Sequence, residues 1–247
     1  FTLLGYRSYH VKTLKGDMAL AADVKSSLGL MNQYDGTKER LISGLSESAR
    51  KIALGDNLLI LTKTNAKSRV HRPAHLDYIG VKRFDDKGNV IGEERFVGLF
   101  GSAYYTNSAL DLPLIKSKVA DVCENSGYAK GTHAYKALIN ILETYPRDEI
   151  LQSSPAELLR NVMGIFHMQE RDYSGLFMRR DAFDRFYSCM VYVPRERYNT
   201  ALRINTQKLL QEALGSEEEV EFTTYFSESA QARTHYIVRV NSTKADI

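Results

Sequence analysis

Residues 186–240 change their hydrophobic period twice, from strand to helix and back. Phe186–Val193 (FYSCMVYV) is an apolar run of strand length. Pro194 ends it, Asn199 or Thr200 can cap a helix, and helical spacing continues to about Leu214, where Gly215 supplies a stop. Leu202, Thr206, Leu209, Leu210 and Ala213 form the stripe this helix is expected to bury. Val220–Phe226 then alternates through Val220, Phe222, Thr224 and Phe226, and Thr234–Val240 through Tyr236, Val238 and Val240. Strand, helix, strand, strand is most of a ferredoxin-like βαββαβ unit. A hairpin precedes it, Leu176–Arg180 turning at Asp181–Asp184 into Phe186.

Upstream, Thr2–Val11 reads as a short strand followed by a polar stretch. Leu41, Leu45, Ala49 and Ile52 give helical spacing from about Glu39 to Ala53, stopped by Gly55-Asp56-Asn57. Three strands follow, LLILTKT (58–64), LDYIGVKRF (76–84) and NVIGEERFVGLFGSAYYT (89–106), the last two joined by a turn in which Gly88 suits the left-handed position. That order predicts an antiparallel sheet with helices on one face, closing near Thr106. After a break at Asn107–Pro113 come helices. Leu114, Ile115, Val119 and Val122 share one stripe, and Leu138, Ile141, Leu142 and Tyr145 another, starting at Thr132 and stopping at Pro146. Ser154, Pro155 and Glu157 open a third through a capping box. These helices read as packing elements. The chain is therefore α+β, divided at 1–107, 108–174 and 175–247.

Composition narrows the class. The 247 residues are 43% hydrophobic and 26% charged, which excludes collagen, a disordered chain and a disulfide scaffold. The longest apolar runs, Leu58–Leu61 and Met190–Val193, fall far short of the roughly 20 residues of a spanning helix. A net charge of +3 from 33 cations and 30 anions argues against nucleic acid as a partner. Cys123 and Cys189, far apart in apolar surroundings, read as buried thiols in a reducing compartment, the cytoplasm. No basic and apolar leader follows Phe1, and the start without Met reads as a piece of something longer.

The residues that could carry chemistry read mostly as structural. No Gly-x-Gly-x-x-Gly or Walker loop is present to cradle a nucleotide phosphate. Gly98-Leu-Phe-Gly101 lies in a strand and reads as a bulge or a close backbone approach. His71 and His75 have metal-ligand spacing, but Pro73 between them makes a helix improbable, so a loop is expected. His133, His167 and His235 are isolated and read as structural or surface histidines. Ser48-x-x-Lys51 has no partner motif, and Glu217–Glu219 reads as a solvated loop. Arg179, Arg180, Arg185, Arg195 and Arg197 form a basic cluster near the start of the last helix. It suits an anion or, equally, ion pairs with a neighbouring domain. No catalytic, cofactor-binding or metal-binding residue is assigned.

Longer stretches are more distinctive. FVGLFGSAYYTNSALDLPLIKSKVADV (96–122), GTHAYKALINILETYPRDEIL (131–151), MRRDAFDRFYSCMVYVPRERYNTALR (178–203) and SESAQARTHYIVRV (227–240) closely resemble the bacterial large NAD-dependent glutamate dehydrogenases, as does VHRPAHLDYIGVKRFDDKGNVIGEERFVGLF (70–100). The resemblance covers nearly the whole chain but only the N-terminal half of that family's much longer polypeptide. It implies a PAS-like domain over 1–107, a helical connector, and an ACT-like βαββαβ domain from 175. It implies a parent that oxidises L-glutamate to 2-oxoglutarate and ammonia with NAD, the catalytic residues and NAD site lying outside this segment. The segment itself is then a non-catalytic regulatory or oligomerisation element without a cofactor. Its partners are the rest of its own chain, a second copy and an amino-acid effector, with Arg179, Arg180, Arg195, Arg197 and Asn199 as the effector or interface residues. Two features separate it from a sensor of the usual kind. The Pro194–Asn199 loop lacks the glycine of amino-acid-binding ACT domains, and the PAS-like part offers only His10, His71 and His75 and no cysteine to a haem or flavin. A free-standing PAS–ACT sensor is the alternative, and a small enzyme built on the arginine cluster the third reading.

Overall fold

A computed structural model of the chain describes residues 1–14, 16–33, 39–68, 70, 74–169, 173–226 and 230–240. It divides into two compact units, one formed chiefly by Phe1–Ser102 and the other chiefly by Ala103–Asp181 with the residues from Arg185 on. The architecture is α+β: a curled antiparallel sheet, a helical segment, and a second small sheet with its own helix.

Two long strands open the first unit, β1 (Thr2–Leu14) and β2 (Asp17–Gly29). The polar stretch expected after Val11 is thus a strand. Ala19, Ala21 and Ala22 stand where β-branched residues usually signal one, and pairing with β1 supplies what propensity lacks. The helix expected from Glu39 is also shorter. β3 (Arg40–Leu41) and a 3-10 turn at Ile42–Gly44 come first, and α1 (Glu47–Leu54) begins only where Ser46 accepts a hydrogen bond from the Ala49 amide at 3.2 Å. β4 (Leu59–Lys67), β5 (His75–Phe84) and β6 (Val90–Leu99) follow as expected, except that β6 stops at Leu99 and Ser102–Thr106 forms a short helix, α2. Gly98 makes the close approach foreseen for it, since a Cβ there would strike the Thr2 carbonyl.

All pairings are antiparallel, in the order β3-β2-β1-β6-β5-β4, so the first hairpin docks on the last strand. Met31, Leu76, Val97 and Leu99 form an apolar core. Beside it the sheet encloses a cation of its own. The Arg95 guanidinium lies 3.9 Å from the Tyr9 ring centre and 5.6 Å from that of Tyr78, and 3.3 Å from the Glu93 carboxylate. The Tyr78 hydroxyl donates to Glu93, and burial pushes that phenol up, so it remains a donor.

In the second unit the helices are α3 (Ile115–Asn125), α4 (His133–Thr144), α5 (Arg147–Gln152) and α6 (Pro155–Gln169). The N-caps of α4 and α6 are those the sequence indicates. Thr132 accepts from the Tyr135 amide at 3.2 Å, and the Ser154 amide donates to Glu157 at 3.1 Å while the Glu157 amide donates back to Ser154 Oγ. None of the described helices is long and apolar enough to cross a membrane.

The small sheet contains β7 (Gly175–Arg180), β8 (Phe186–Pro194), β9 (Glu221–Phe226) and β10 (Gln231–Arg239), with α7 (Thr200–Leu214) between β8 and β9. Its order is β7-β8-β10-β9. β8 and β9 are both antiparallel to β10 and hence parallel to each other, which makes β8-α7-β9 a split β-α-β crossover with β10 inserted. The expected second helix and last strand are not among the described residues, and β7 fills the edge place beside β8 through a hairpin. α7 covers one face through Leu210 and Leu214 over Cys189, Tyr236 and Val238. Its stripe is rotated from the expected one: Leu209 is 65% exposed and Ala213 is also outside.

The opposite face is covered too. Gly164 of α6 lies so close to the Phe177 ring of β7 that a Cβ would come within 2.6 Å of it. Two effects oppose each other at this position. Alanine favours a helix over glycine by about 1 kcal/mol, while overpacking costs roughly 1–3 kcal/mol. Gly164→Ala should therefore lower stability in a urea titration by up to about 2 kcal/mol, and Phe177→Leu in the same chain should recover part of the loss.

Candidate functional site

The face of the small sheet turned away from α7 carries polar residues where a two-sided sheet would ordinarily be apolar. Strand register explains which ones meet. Arg179 on β7 stands directly opposite Ser188 on β8, Ser188 opposite Ile237 on β10, and His235 one step diagonally away. Above them lies α5. Pro146 separates α5 from α4, and the buried Arg147 fixes the join by donating to the Leu142 and Asn107 carbonyls, each at 3.2 Å, and to Glu143 at 3.1 Å. That join turns Glu149 toward the sheet.

Glu149 and Arg179 form a bidentate ion pair. Arg179 Nε donates to Oε2 and Nη2 to Oε1, both at 2.8 Å, and Nη2 also donates to the Gln152 side-chain oxygen at 3.0 Å. Each side chain is only 4% exposed. Burial alone would raise the Glu149 carboxyl, but Arg179 more than reverses it and holds Glu149 well below the usual carboxylate range. Burial works against the Arg179 charge and Glu149 restores it, leaving the guanidinium more firmly protonated than usual. Ser188 Oγ lies 2.8 Å from His235 Nε2, and that nitrogen is 3.8 Å from Glu149 Oε1. Burial is the chief cause that holds the His235 pKa below its ordinary value; Glu149 works against it, and Arg233 and Arg179 add to it.

Two more cations tie helix ends to this face. Lys118 of α3 donates to the Leu151 and Ser153 carbonyls, both at 2.6 Å, at the C-terminal end of α5, and its ammonium is pushed down to about 8 by burial and by Arg179. Arg233 of β10 donates to the Thr144 carbonyl at the end of α4.

Serine, histidine and glutamate together invite comparison with a nucleophile triad. The geometry does not support one. Glu149 approaches the same imidazole nitrogen that Ser188 contacts, whereas an orienting carboxylate must hold the other. Ser188 is 1% exposed, out of reach of a substrate. The cluster fastens helices to a sheet.

The sequence-selected arginines separate. Arg179 is in the ion pair just described. Arg180 is exposed, its guanidinium 5.8 Å from the Tyr187 ring. Arg195 and Arg197 are exposed in a 3-10 turn, and Asn199 caps α7 by accepting from the Leu202 amide at 2.9 Å. Arg180 pairs with Tyr187 while Arg195 follows Pro194, so the two groups lie about 23 Å apart along β8. Only Arg195, Arg197 and Asn199 stay together.

His75 opens β5 with Nδ1 3.1 Å from the Thr64 carbonyl, whereas His71 and Pro73 lie outside the described residues. The described residues contain no group of His, Cys, Asp and Glu suited to a metal. Both cysteines are free and buried, and burial pushes the Cys189 thiol up to about 12. His235 has the structural place expected of it, its side chain 13% exposed against Ser188, whereas Glu149 is not singled out by the sequence. Its one signal in the sequence is a carboxylate set directly before the apolar pair Ile150-Leu151.

The second unit is thus an ACT-type sheet joined to a helical motif. Residues 175–247 match the family described as "Glutamate dehydrogenase, ACT2 domain", and residues 112–171 match "Glutamate dehydrogenase, helical motif 1". The chain carries two domains of the glutamate dehydrogenase family. It is 38% identical to the NAD-specific glutamate dehydrogenase of Halomonas elongata over 99% of its length, and 38% identical to that of Pseudomonas aeruginosa over 98%. The Mycobacterium tuberculosis enzyme is 30% identical over 97% of the chain. The chain spans about 15% of the first two relatives and 14% of the third.

Removing one member of the ion pair should cost far more than replacing both. Glu149→Gln leaves a buried, uncompensated guanidinium and should lose about 3–5 kcal/mol, whereas Glu149→Leu with Arg179→Met should fall near the parent stability. Because the Glu149 pKa is depressed on folding, its contribution is fully present above the ordinary value of 4.5 and disappears as pH falls below it. Urea titrations of the three chains from neutral to acid pH should show that acid-sensitive component in the parent and not in the double variant.

Proposed function

We propose that this chain is a non-catalytic regulatory and oligomerisation segment of a cytoplasmic NAD-dependent glutamate dehydrogenase. In the parent reaction L-glutamate, NAD and water give 2-oxoglutarate, ammonia and NADH. The cofactor supplies the redox chemistry, and the residues holding NAD and glutamate belong, in this reading, to the rest of the parent chain.

One observation supports the reading most directly: both faces of the small sheet are covered, so partners meet it at its edges and loops. β9 is such an edge. Phe222, Tyr225 and Phe226 are exposed along it, with the guanidinium groups of Arg203, Arg233 and Arg195 at 4.0, 4.4 and 5.8 Å from their ring centres. An aromatic edge strand without proline is a template for another strand. Two copies pairing antiparallel about Thr224 would keep their faces aligned and set Phe222 opposite the partner subunit's Phe226. Beside Phe226, the α7 start with Arg195, Arg197 and Asn199 is the place for the carboxylate of an amino-acid effector.

Sedimentation velocity should show a concentration-dependent dimer that Phe226→Lys weakens at least about ten-fold, or 1.4 kcal/mol. A monomer at every concentration contradicts the oligomerisation reading. For the effector, thermal shifts with a panel of amino acids should identify one that raises the melting temperature by about 5–10 °C at 100 times its dissociation constant. Arg195→Ala should abolish that shift.

A further inference from the structure

The cluster under α5 has a fixed hydrogen-bond polarity. Ionised Glu149 only accepts. It takes two bonds from Arg179, and Ser188 donates its hydroxyl hydrogen to the same carboxylate. The Ser188 oxygen then accepts from His235, so the neutral imidazole carries its hydrogen on Nε2 and leaves Nδ1 for a second proton.

The surrounding charges balance only while that site is empty. α5 contributes Glu149 and Asp148, β7 contributes Arg179, β10 contributes Arg233, and Lys118 of α3 faces Arg179 together with Glu157 of α6. Asp181, near Arg179, is itself paired with Arg185 at 2.8 Å. The remaining polar neighbours stay neutral: burial pushes up the Tyr145 and Tyr192 phenols and the Cys189 thiol. Protonation of His235 therefore places a surplus positive charge between Arg179 and Arg233, in a site where its side chain is 13% exposed.

We infer that His235 is a proton-responsive latch holding the α4–α5 end of the helical segment to the β7-β8-β10 face of the sheet, closed while the imidazole is neutral and loosened when it gains a proton. The inference stands on the geometry of the second unit and is independent of the proposed parent reaction. Acid sensitivity has a definite sign. Burial depresses the His235 pKa below its ordinary 6.5, so the closed state binds the proton more weakly than the open one. Closure is unimpaired above 6.5 and is lost progressively as pH falls from there toward the closed-state value.

The test is hydrogen exchange of the 247-residue chain between pH 7.5 and 5.5, expressed as protection factors, with a parallel NMR titration of the His235 ring. The opening constant of amides in α5 and the facing strands should rise by up to about ten-fold per pH unit below 6.5. Amides of α7, on the other face of the sheet, should keep their protection. His235→Gln retains a donor for Ser188 without titrating and should remove the pH dependence. The inference is overturned if the parent shows no such rise, if α7 opens in step with α5, if the variant follows the parent, or if the ring titrates at or above 6.5. Should the variant not fold, the parent decides alone: the ring and the α5 amides must share one midpoint, and separate midpoints overturn the latch.

Discussion

The Glu149–Arg179 pair determines how the second unit can be built. A buried carboxylate or guanidinium by itself is a strong liability, and neither residue would be tolerated on its own element. Placed opposite each other, with Gln152 and Ser188 meeting their remaining hydrogen-bond capacity, they give α5 one position over the sheet. The energetic gain over a well-packed apolar pair is small. What the pair adds is register, because a one-residue slip of β7 or β8 would turn Arg179 or Ser188 to the α7 face and leave Glu149 buried without a counter-charge. Lys118 and Arg233 reinforce the same arrangement by meeting carbonyls at the ends of α5 and α4.

This arrangement bears on function through what it leaves accessible. β8 is buried on both faces: its Cys189 packs under α7 and its Ser188 and Met190 under the helical segment. A sheet covered in this way communicates through its edges, its loops and the helices fixed to it. Under the proposed function, a ligand or second copy at the β9 edge would reach α5 through β10, the strand beside β9. The helical segment and the ACT-type sheet, matched as separate domains of glutamate dehydrogenases, are mechanically joined here by ionic contacts.

Local features were legible in the sequence because they depend on neighbouring residues. Thr132, Ser154 and Asn199 cap the helices that the spacing around them indicates, and Gly215 closes α7 with a φ of 64°. Long-range pairing was harder to read. β2 is alanine-rich and is a strand because β1 pairs with it, and the α7 stripe turned so that Leu210 and Leu214, rather than Leu209, meet the strands. The candidate site was the least legible part. Its members come from positions 149, 179, 188 and 235, and only the register of three strands and the turn at Pro146 brings them together. Arg179 was singled out for its charge, with an ion pair to a neighbouring domain as one of two readings, and the partner is Glu149.

If the Glu149–Arg179 pair fastens α5 to the strands, the helical segment and the small sheet unfold as one cooperative body. A urea titration of the chain followed residue by residue by NMR tests this directly. One midpoint should be shared by Leu142, Ile150 and Val162 in the helices and by Ser188, Met190 and Tyr236 in the sheet. Separate midpoints, with the helices melting while the sheet remains folded, would contradict it.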